Sequence, residues 1–300
     1  MRIGVRLPVP SVDEGLGLAP FAREAERVGF DSLWVSDHVL MPASIDSHYP
    51  FSRDGRATWS PDSDWYDPIV LLSMAASATS RVRLGTAVLI APLRQPVVLA
   101  KQWATLDRLS GGRTALGIGV GWLAEEFEAL GVPFRQRGAL TDEWIDVVRA
   151  VWTGAPSATD GPHYPLPAGL ITKPAPEGGI PVLLGGTSAA ALRRAAAVGD
   201  GWIAHDSLAE IEPDELGSTI RSLDSALADL GRPRDRFEVV LRLVGTSAIH
   251  EGGGGILADL AAIGVDEVVL DPPEGGVEAL AAFHTELRRA AAQTPQEISR

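Results

Sequence analysis

The sequence predicts an α/β fold of the (β/α)8 TIM-barrel class, on three observations. Apolar runs of strand length alternate with amphipathic segments of helix length almost from end to end, the pattern of parallel α/β architecture. The alternation repeats eight times, the barrel number. With 300 residues and 45% hydrophobic content the chain can enclose one large core, so residues 1–300 are expected to form a single domain. An open doubly wound sheet is the alternative that the same alternation permits.

The first unit is "RIGVRL" (2–7) with a helix over 17–28, and the second is "SLWVS" (32–36) with a helix over 66–79. "RVRLGTAVL" (81–89) precedes a helix over 95–109, and "RTALGIG" (113–119) one over 137–153. "PVLLG" (181–185) leads to 187–198, "GWIAH" (201–205) to 211–229, "FEVVLRLV" (237–244) to 254–263 and "DEVVLD" (266–271) to 276–292. After Asp107 and Leu109, "SGGR" (110–113) offers Gly111 and Gly112 for the left-handed turn that ends a helix. "AVGDGW" (197–202) and "AIGVDE" (262–267) do likewise, and "GGGG" (252–255) reads as a flexible turn. Two insertions stand out: 41–64 after strand two, and a Pro- and Gly-rich stretch of about 154–180 after strand four and before strand five. Loops that long inside a compact domain are usually lids, substrate walls or covers. Spacing leaves open whether both rise from the same end.

Lys and Arg are outnumbered 26 to 39 by Asp and Glu, for a formal charge of −13. Phosphate backbones need a basic stripe, so no nucleic-acid partner is expected. The absence of cysteine removes disulfides, thiol nucleophiles and thiolate metal sites. No apolar run reaches membrane-spanning length, and "MRIGVRLPVP" lacks the apolar core of a signal peptide. The expectation is a cytoplasmic protein acting on a small molecule, with no membrane partner.

In a barrel, chemistry sits at the carboxyl ends of the strands. "FDSLWVSDHVLMP" (30–42) carries an apolar strand into Ser36, Asp37 and His38 at that rim. His38 is the candidate proton-transfer group, with Asp37 holding its tautomer or contacting a polar cofactor; the alternative is a pair that merely ties down a loop. "GIGVGW" (117–122) removes side chains at Gly117, Gly119 and Gly121, where a flat ring or phosphate tail would approach the backbone, or else makes a tight turn. "LLGGTSAAALRRAA" (183–196) sets Gly185, Gly186, Thr187 and Ser188 at a helix N-terminus, which suits both capping and anion binding. Gly85 and Thr86 in "LGTAVLIAP" (84–92) mark a bulge or a close neighbour.

Tyr49, Phe51, Trp59, Trp65 and Tyr66 are candidates for an apolar substrate wall. Trp65 and Tyr66 equally suit the start of the next helix. The remaining histidines, 48, 163, 205, 250 and 284, are scattered, although "AHD" (204–206) reaches the rim of strand six, and the first strand has "VRL" where metal hydrolases commonly have H-x-H. No metal is expected, and no G-x-S-x-G nucleophile motif is present.

"LWVSDHV", the stretch from "DPIVLLSMAASATSRVRLGTAVLIAPLRQPVVLA" through "GIGVGWLAEEF", and "IPVLLGGTSAAALRRAAAVGDGW" together resemble the bacterial luciferase-like family, especially its branch using the deazaflavin coenzyme F420. The resemblance covers roughly residues 1–205. It implies a hydride-transferring oxidoreductase and a homodimer. It also implies a coenzyme site built from Asp37, His38, Thr86, Ala87, Val88, Gly119, Val120, Gly121, Gly185, Gly186, Thr187 and Ser188, and a non-proline cis peptide at Ala87–Val88 behind the ring. Tyr49, Trp59 and Trp122 then wall the substrate.

Two readings share the pocket: a monooxygenase using flavin mononucleotide (FMN), and a non-catalytic flavin-binding barrel. Relatives that oxidise alcohols or sugars have Trp four residues beyond the His and Glu directly after G-x-G, where this chain has Pro42 and Trp122. Their acid–base assignment therefore does not transfer whole. His38 remains, with Glu125 and Glu126 as lesser candidates that also read as solvated helix charges.

Overall fold

The computed structural model describes residues 1–8, 17–57, 59–246 and 255–291. Nine parallel strands form the sheet: β1 (Arg2–Arg6), β2 (Ser32–Val35), β3 (Arg83–Thr86), β4 (Leu89–Ile90), β5 (Thr114–Gly119), β6 (Val182–Gly185), β7 (Gly201–Ser207), β8 (Glu238–Val244) and β9 (Glu267–Leu270). The order is β3-β2-β1-β9-β8-β7-β6-β5-β4, and β3 also pairs with β5 through Leu84–Thr114 and Gly85–Ala115, which closes the ring. β3 and β4 are two halves of one stave, so the sheet is an eight-staved barrel and not an open sheet. The expected single strand over 81–89 is interrupted at Ala87 and Val88.

Around it lie α1 (Leu18–Val28), α2 (Pro68–Ala78), α3 (Pro96–Ser110), α4 (Ala124–Ala129), α5 (Arg137–Trp152), α6 (Ala189–Val198), α7 (Pro213–Asp229), α8 (Gly255–Ala262) and α9 (Gly276–Ala291). The caps set the boundaries. The Asp67 carboxylate accepts the Ile69 and Val70 N–H groups and Pro68 occupies the first turn, so α2 starts after Trp65 and Tyr66. Gly111 takes φ 76° and donates to Asp107 and Arg108, ending α3 as "SGGR" implies. Most of the "GGGG" turn lies outside the described residues. Among the described residues, no helix is long and apolar enough to cross a membrane.

Two apolar layers result. Trp34, Ala87, Ala115, Leu183, Ile203, Val240 and Val269 fill the barrel interior, while a larger layer packs between sheet and helices. At the amino-terminal end Trp34 lies across the barrel, with its indole N–H donating to Glu267 at 2.8 Å. A Cβ on Gly85 would stand 2.4 Å from the Trp34 ring, so Gly85 marks a close neighbour and not the bulge.

The two insertions part company. The first, after β2, covers the carboxyl ends of the strands, whereas 154–180 follows α5 and packs on the outer faces of α3 and α5. Its Lys173 carbonyl accepts from Lys101, and its His163 and Tyr164 N–H groups bind Glu143.

Candidate active site

A cavity of about 1560 Å3 opens above the strand ends, walled by the rim residues and by the first insertion. Residues 154–180 contribute nothing to it.

Asp37 and His38 follow β2 and are both buried, but they do not pair. Asp37 accepts the Ile90 N–H at 3.0 Å and the Arg94 guanidinium at 2.6 and 3.2 Å. Burial works against the Arg94 charge, yet Asp37 and Asp67 more than offset it and hold Arg94 above its ordinary pKa. Asp37 therefore ties the β2 rim to the turn after β4, and the expectation that it orients the imidazole is corrected.

That task falls to Glu126. His38 Nδ1 lies 3.0 Å from Glu126 Oε2, and the same carboxylate accepts the Val39 and Leu40 N–H groups at 2.5 and 3.3 Å. A carboxylate accepts, so Nδ1 donates and Nε2 is the nitrogen left for the cavity. Among the described residues, Nε2 has no hydrogen-bond partner. The reading of Glu125 and Glu126 as solvated helix charges is also corrected. Glu126 is fully buried, and Glu125 accepts the Asp46 and Ser47 N–H groups at 2.7 and 2.9 Å. The short α4, absent from the sequence reading, thus pins both ends of the 38–47 loop.

Of the five candidate wall aromatics, Tyr49, Phe51, Trp59 and Trp65 border the cavity, joined by Trp122, whereas Tyr66 packs against the core between sheet and helices. Trp65, Trp122 and Trp59 ring His38 with centroids at 4.7, 5.9 and 6.2 Å, and Tyr49 stands 5.0 Å from both Trp59 and Trp122. Trp65 belongs to this wall and not to a helix.

On the floor, the Ala87–Val88 peptide is cis. Ala87, Val88, Gly119, Val120 and Gly121 all border the cavity. A Cβ on Gly119 would lie 2.7 Å from Val88 Cγ2, and one on Gly185 3.0 Å from Val88 Cγ1, so these glycines seat the Val88 side chain between two strands. Gly121 takes φ +82° and its Cβ would strike Phe127 at 2.6 Å. Thr86 does not reach the cavity. It is sealed below the floor, where its hydroxyl donates to the Gly117 carbonyl at 2.7 Å.

Gly185, Gly186, Thr187 and Ser188 form one corner. Ser188, not Thr187, caps α6, its Oγ accepting the Ala191 N–H at 3.2 Å. Arg137, the first residue of α5, borders the same cavity. Its guanidinium lies 4.0 Å over the Phe134 ring, Nη1 donates to the Phe134 carbonyl, and Nε is buried without a partner. Burial lowers its pKa, and no carboxylate among the described residues pairs with it. A helix N-terminus and an unmatched cation thus line one cavity, a combination suited to an anion. Among the described residues, no group of three His, Asp or Glu side chains gathers as a metal site requires.

The family model of the luciferase-like monooxygenases matches residues 17–248. The chain belongs to this family. A protein of Mycobacterium tuberculosis described as uncharacterised is 36% identical over 213 residues, 71% of this chain and 72% of its own. An F420-dependent glucose-6-phosphate dehydrogenase of Kineococcus radiotolerans is 34% identical over 190 residues, 62% of this chain and 51% of its own. Among solved structures, an F420-dependent secondary alcohol dehydrogenase in complex with an F420–acetone adduct shares the fold, with TM-score 0.77 at 17% identity over 97% of this chain and 99% of that one. Within this luciferase-like barrel, Trp122 stands where the resemblance places a Glu, and the buried acid beside His38 arrives four residues later as Glu126.

Proposed function

We propose that this luciferase-like protein is an F420-dependent oxidoreductase that exchanges a hydride with a small organic substrate. One observation carries the reading: a floor of small and apolar residues, Ala87, Val88 and Gly119–Gly121, shares a single cavity with the Gly185–Ser188 corner and Arg137 and with the free His38 nitrogen. A flat ring bearing a phosphate tail fits this division. The floor would back the ring, and the Gly185–Ser188 corner with Arg137 would take the phosphate. Bound there, a deazaflavin supplies two-electron hydride chemistry, because carbon replaces the reactive ring nitrogen of a flavin.

The chain's own residues do the rest. Glu126 fixes the imidazole so that Nε2 gives or takes the proton, and the aromatic wall of Tyr49, Trp59, Trp65 and Trp122 excludes water from the reacting face. The relatives named as F420-dependent support this choice of coenzyme. We extend the proposal to a homodimer through α2 and α3, which pack together and expose Val70, Met74 and Val98.

Titrating the purified protein separately with F420 and with FMN, followed by fluorescence, tests the reading. Tight binding of F420 and reduced-F420 consumption on a panel of carbonyls and enones is the expected result. Preference for FMN with oxygen uptake overturns it in favour of a monooxygenase. Binding without any turnover overturns it in favour of a non-catalytic barrel.

A further inference from the structure

On the staves that run from β1 through β9 and β8 to β7, the cavity is lined by a second set of polar groups that the chemistry above does not use: Arg6, His205, Arg242 and Asp271. Arg6 ends β1, His205 lies on β7, Arg242 on β8, and Asp271 follows β9, so adjacent staves bring them together. Asp271 binds both guanidinium groups, accepting from Arg6 Nε at 3.0 Å and from Arg242 Nη2. Arg242 also spends Nη1 on the Leu243 and Val269 carbonyls at 2.8 and 3.3 Å. Two arginines share one carboxylate, which leaves one positive charge uncompensated inside a largely apolar cavity.

The neighbours point the same way. Among the described residues, the remaining two guanidinium nitrogens of Arg6 have no acceptor. His205 is largely enclosed, its Nδ1 has no hydrogen-bond partner, and burial first, then the Arg242 charge, lower its pKa to about 4 against a smaller opposing pull from Asp271. The Tyr49 hydroxyl makes no hydrogen bond among the described residues, and its ring stands 6.4 Å from His205. Unpaired donors around an excess cation cost free energy unless an acceptor arrives. The other acids that border the cavity are engaged elsewhere or exposed: Asp37 binds Arg94, Glu210 lies 3.6 Å from Arg53, and Asp54 and Asp64 are exposed to solvent. Between this cluster and His38 runs a continuous row of rings, Phe51, Tyr49, Trp59 and Trp122. Rings at that spacing favour a flat apolar body.

We propose that the substrate side of the cavity recognises a planar, unsaturated carboxylate, with the Arg6–Arg242 pair and the Tyr49 hydroxyl holding the carboxylate and the aromatic row holding the body. Arg6 supplies the free fork of donors that a carboxylate takes, while Arg242, anchored to backbone, fixes Asp271 and thereby Arg6. This rests on the proposed function only in giving the acid a role as substrate; the carboxylate site itself needs no coenzyme.

The test compares trans-cinnamate with cinnamamide, which has the same shape without the charge. Affinity is read by calorimetry and by quenching of the cavity tryptophans, on protein alone and on protein saturated with F420. Cinnamate is expected to bind about tenfold or more tightly than the amide, a difference that shrinks as salt is raised. Arg6→Gln abolishes the preference and leaves amide affinity in place, while Arg6→Lys restores part of it. Circular dichroism and a thermal melt confirm that each variant folds.

Equal affinity for acid and amide overturns the proposal, as does absence of binding by either. So does loss of the preference in Arg137→Gln instead of Arg6→Gln, which places the acid in the phosphate corner. Failure to bind F420 with the acid preference intact sinks the coenzyme reading and leaves this one standing.

Discussion

His38 Nδ1 lies 3.0 Å from Glu126 Oε2, and the carboxylate also accepts the two backbone N–H groups that follow the histidine. One buried acid therefore fixes both the ring and the loop that carries it. His38→Ala is expected to lower kcat by about 10²–10⁴-fold, the usual worth of a positioned acid or base. Coenzyme affinity should change far less, and equal losses in both would argue against proton transfer. Glu126→Gln offers an amide NH2 toward at least one N–H donor, so about 1–3 kcal/mol of stability is expected to go with it. The kcat–pH profile should shift in the glutamine variant while KM holds, which separates orientation of the imidazole from general loosening.

The Gly119–Val88 contact makes a second prediction. A methyl group on Gly119 would come within 2.7 Å of Val88 Cγ2, so Gly119→Ala must push Val88 off the floor. The cost is expected at about 1–3 kcal/mol by urea unfolding, accompanied by weaker coenzyme binding. Val88→Ala in the same chain should return part of that loss, with a coupling of about 0.5–3 kcal/mol in the double-mutant cycle. Simple additivity would mean that Gly119 serves the ligand alone.

The barrel was legible because its period is local: eight apolar runs, their helices and the Gly111 cap are written in adjacent residues. Rim positions His38, Gly119–Gly121 and Gly185–Ser188 were legible for the same reason. What escaped depends on contacts between distant segments. Glu126 reads as a surface helix charge until α4 folds under the loop 88 residues earlier in sequence. Asp37 sits beside His38 in the chain, yet Arg94, 57 residues away, claims it. Glycines 85 and 119 signalled close approach correctly, but their neighbours are Trp34 and Val88 of this same protein. Arg137 and Arg242 carried no local signal, since an arginine at a helix start or within a strand reads as solvent-facing.

Arg137 tests the phosphate corner. Its guanidinium is held over Phe134 and lacks a carboxylate partner, so Arg137→Gln removes charge without orphaning an acid. Affinity for a phosphate-bearing ligand should fall about tenfold or more, whether F420 or FMN is titrated. Riboflavin, which has the ring without the phosphate, should bind wild type and variant alike. Ser188→Ala should separately cost about 1 kcal/mol through the lost α6 cap.

His205 makes stability depend on pH. Burial first, and the Arg242 charge next, lower its pKa from 6.5 to about 4, against a smaller opposing pull from Asp271. The folded protein therefore keeps His205 neutral where the unfolded chain already takes a proton. Below pH 6.5 the unfolded state binds the extra proton, so stability must fall as pH drops, and this loss is complete only below about 4. At about pH 5 the group accounts for a deficit on the order of 2 kcal/mol relative to neutral pH. Urea unfolding of wild type and His205→Phe at both values reads it directly. The phenylalanine variant should lose less stability on acidification, because it has no proton to take up in the unfolded chain. Parallel acid losses in the two proteins would show that His205 is already protonated in the fold, and the charge count at the Arg6–Arg242 cluster would have to include it.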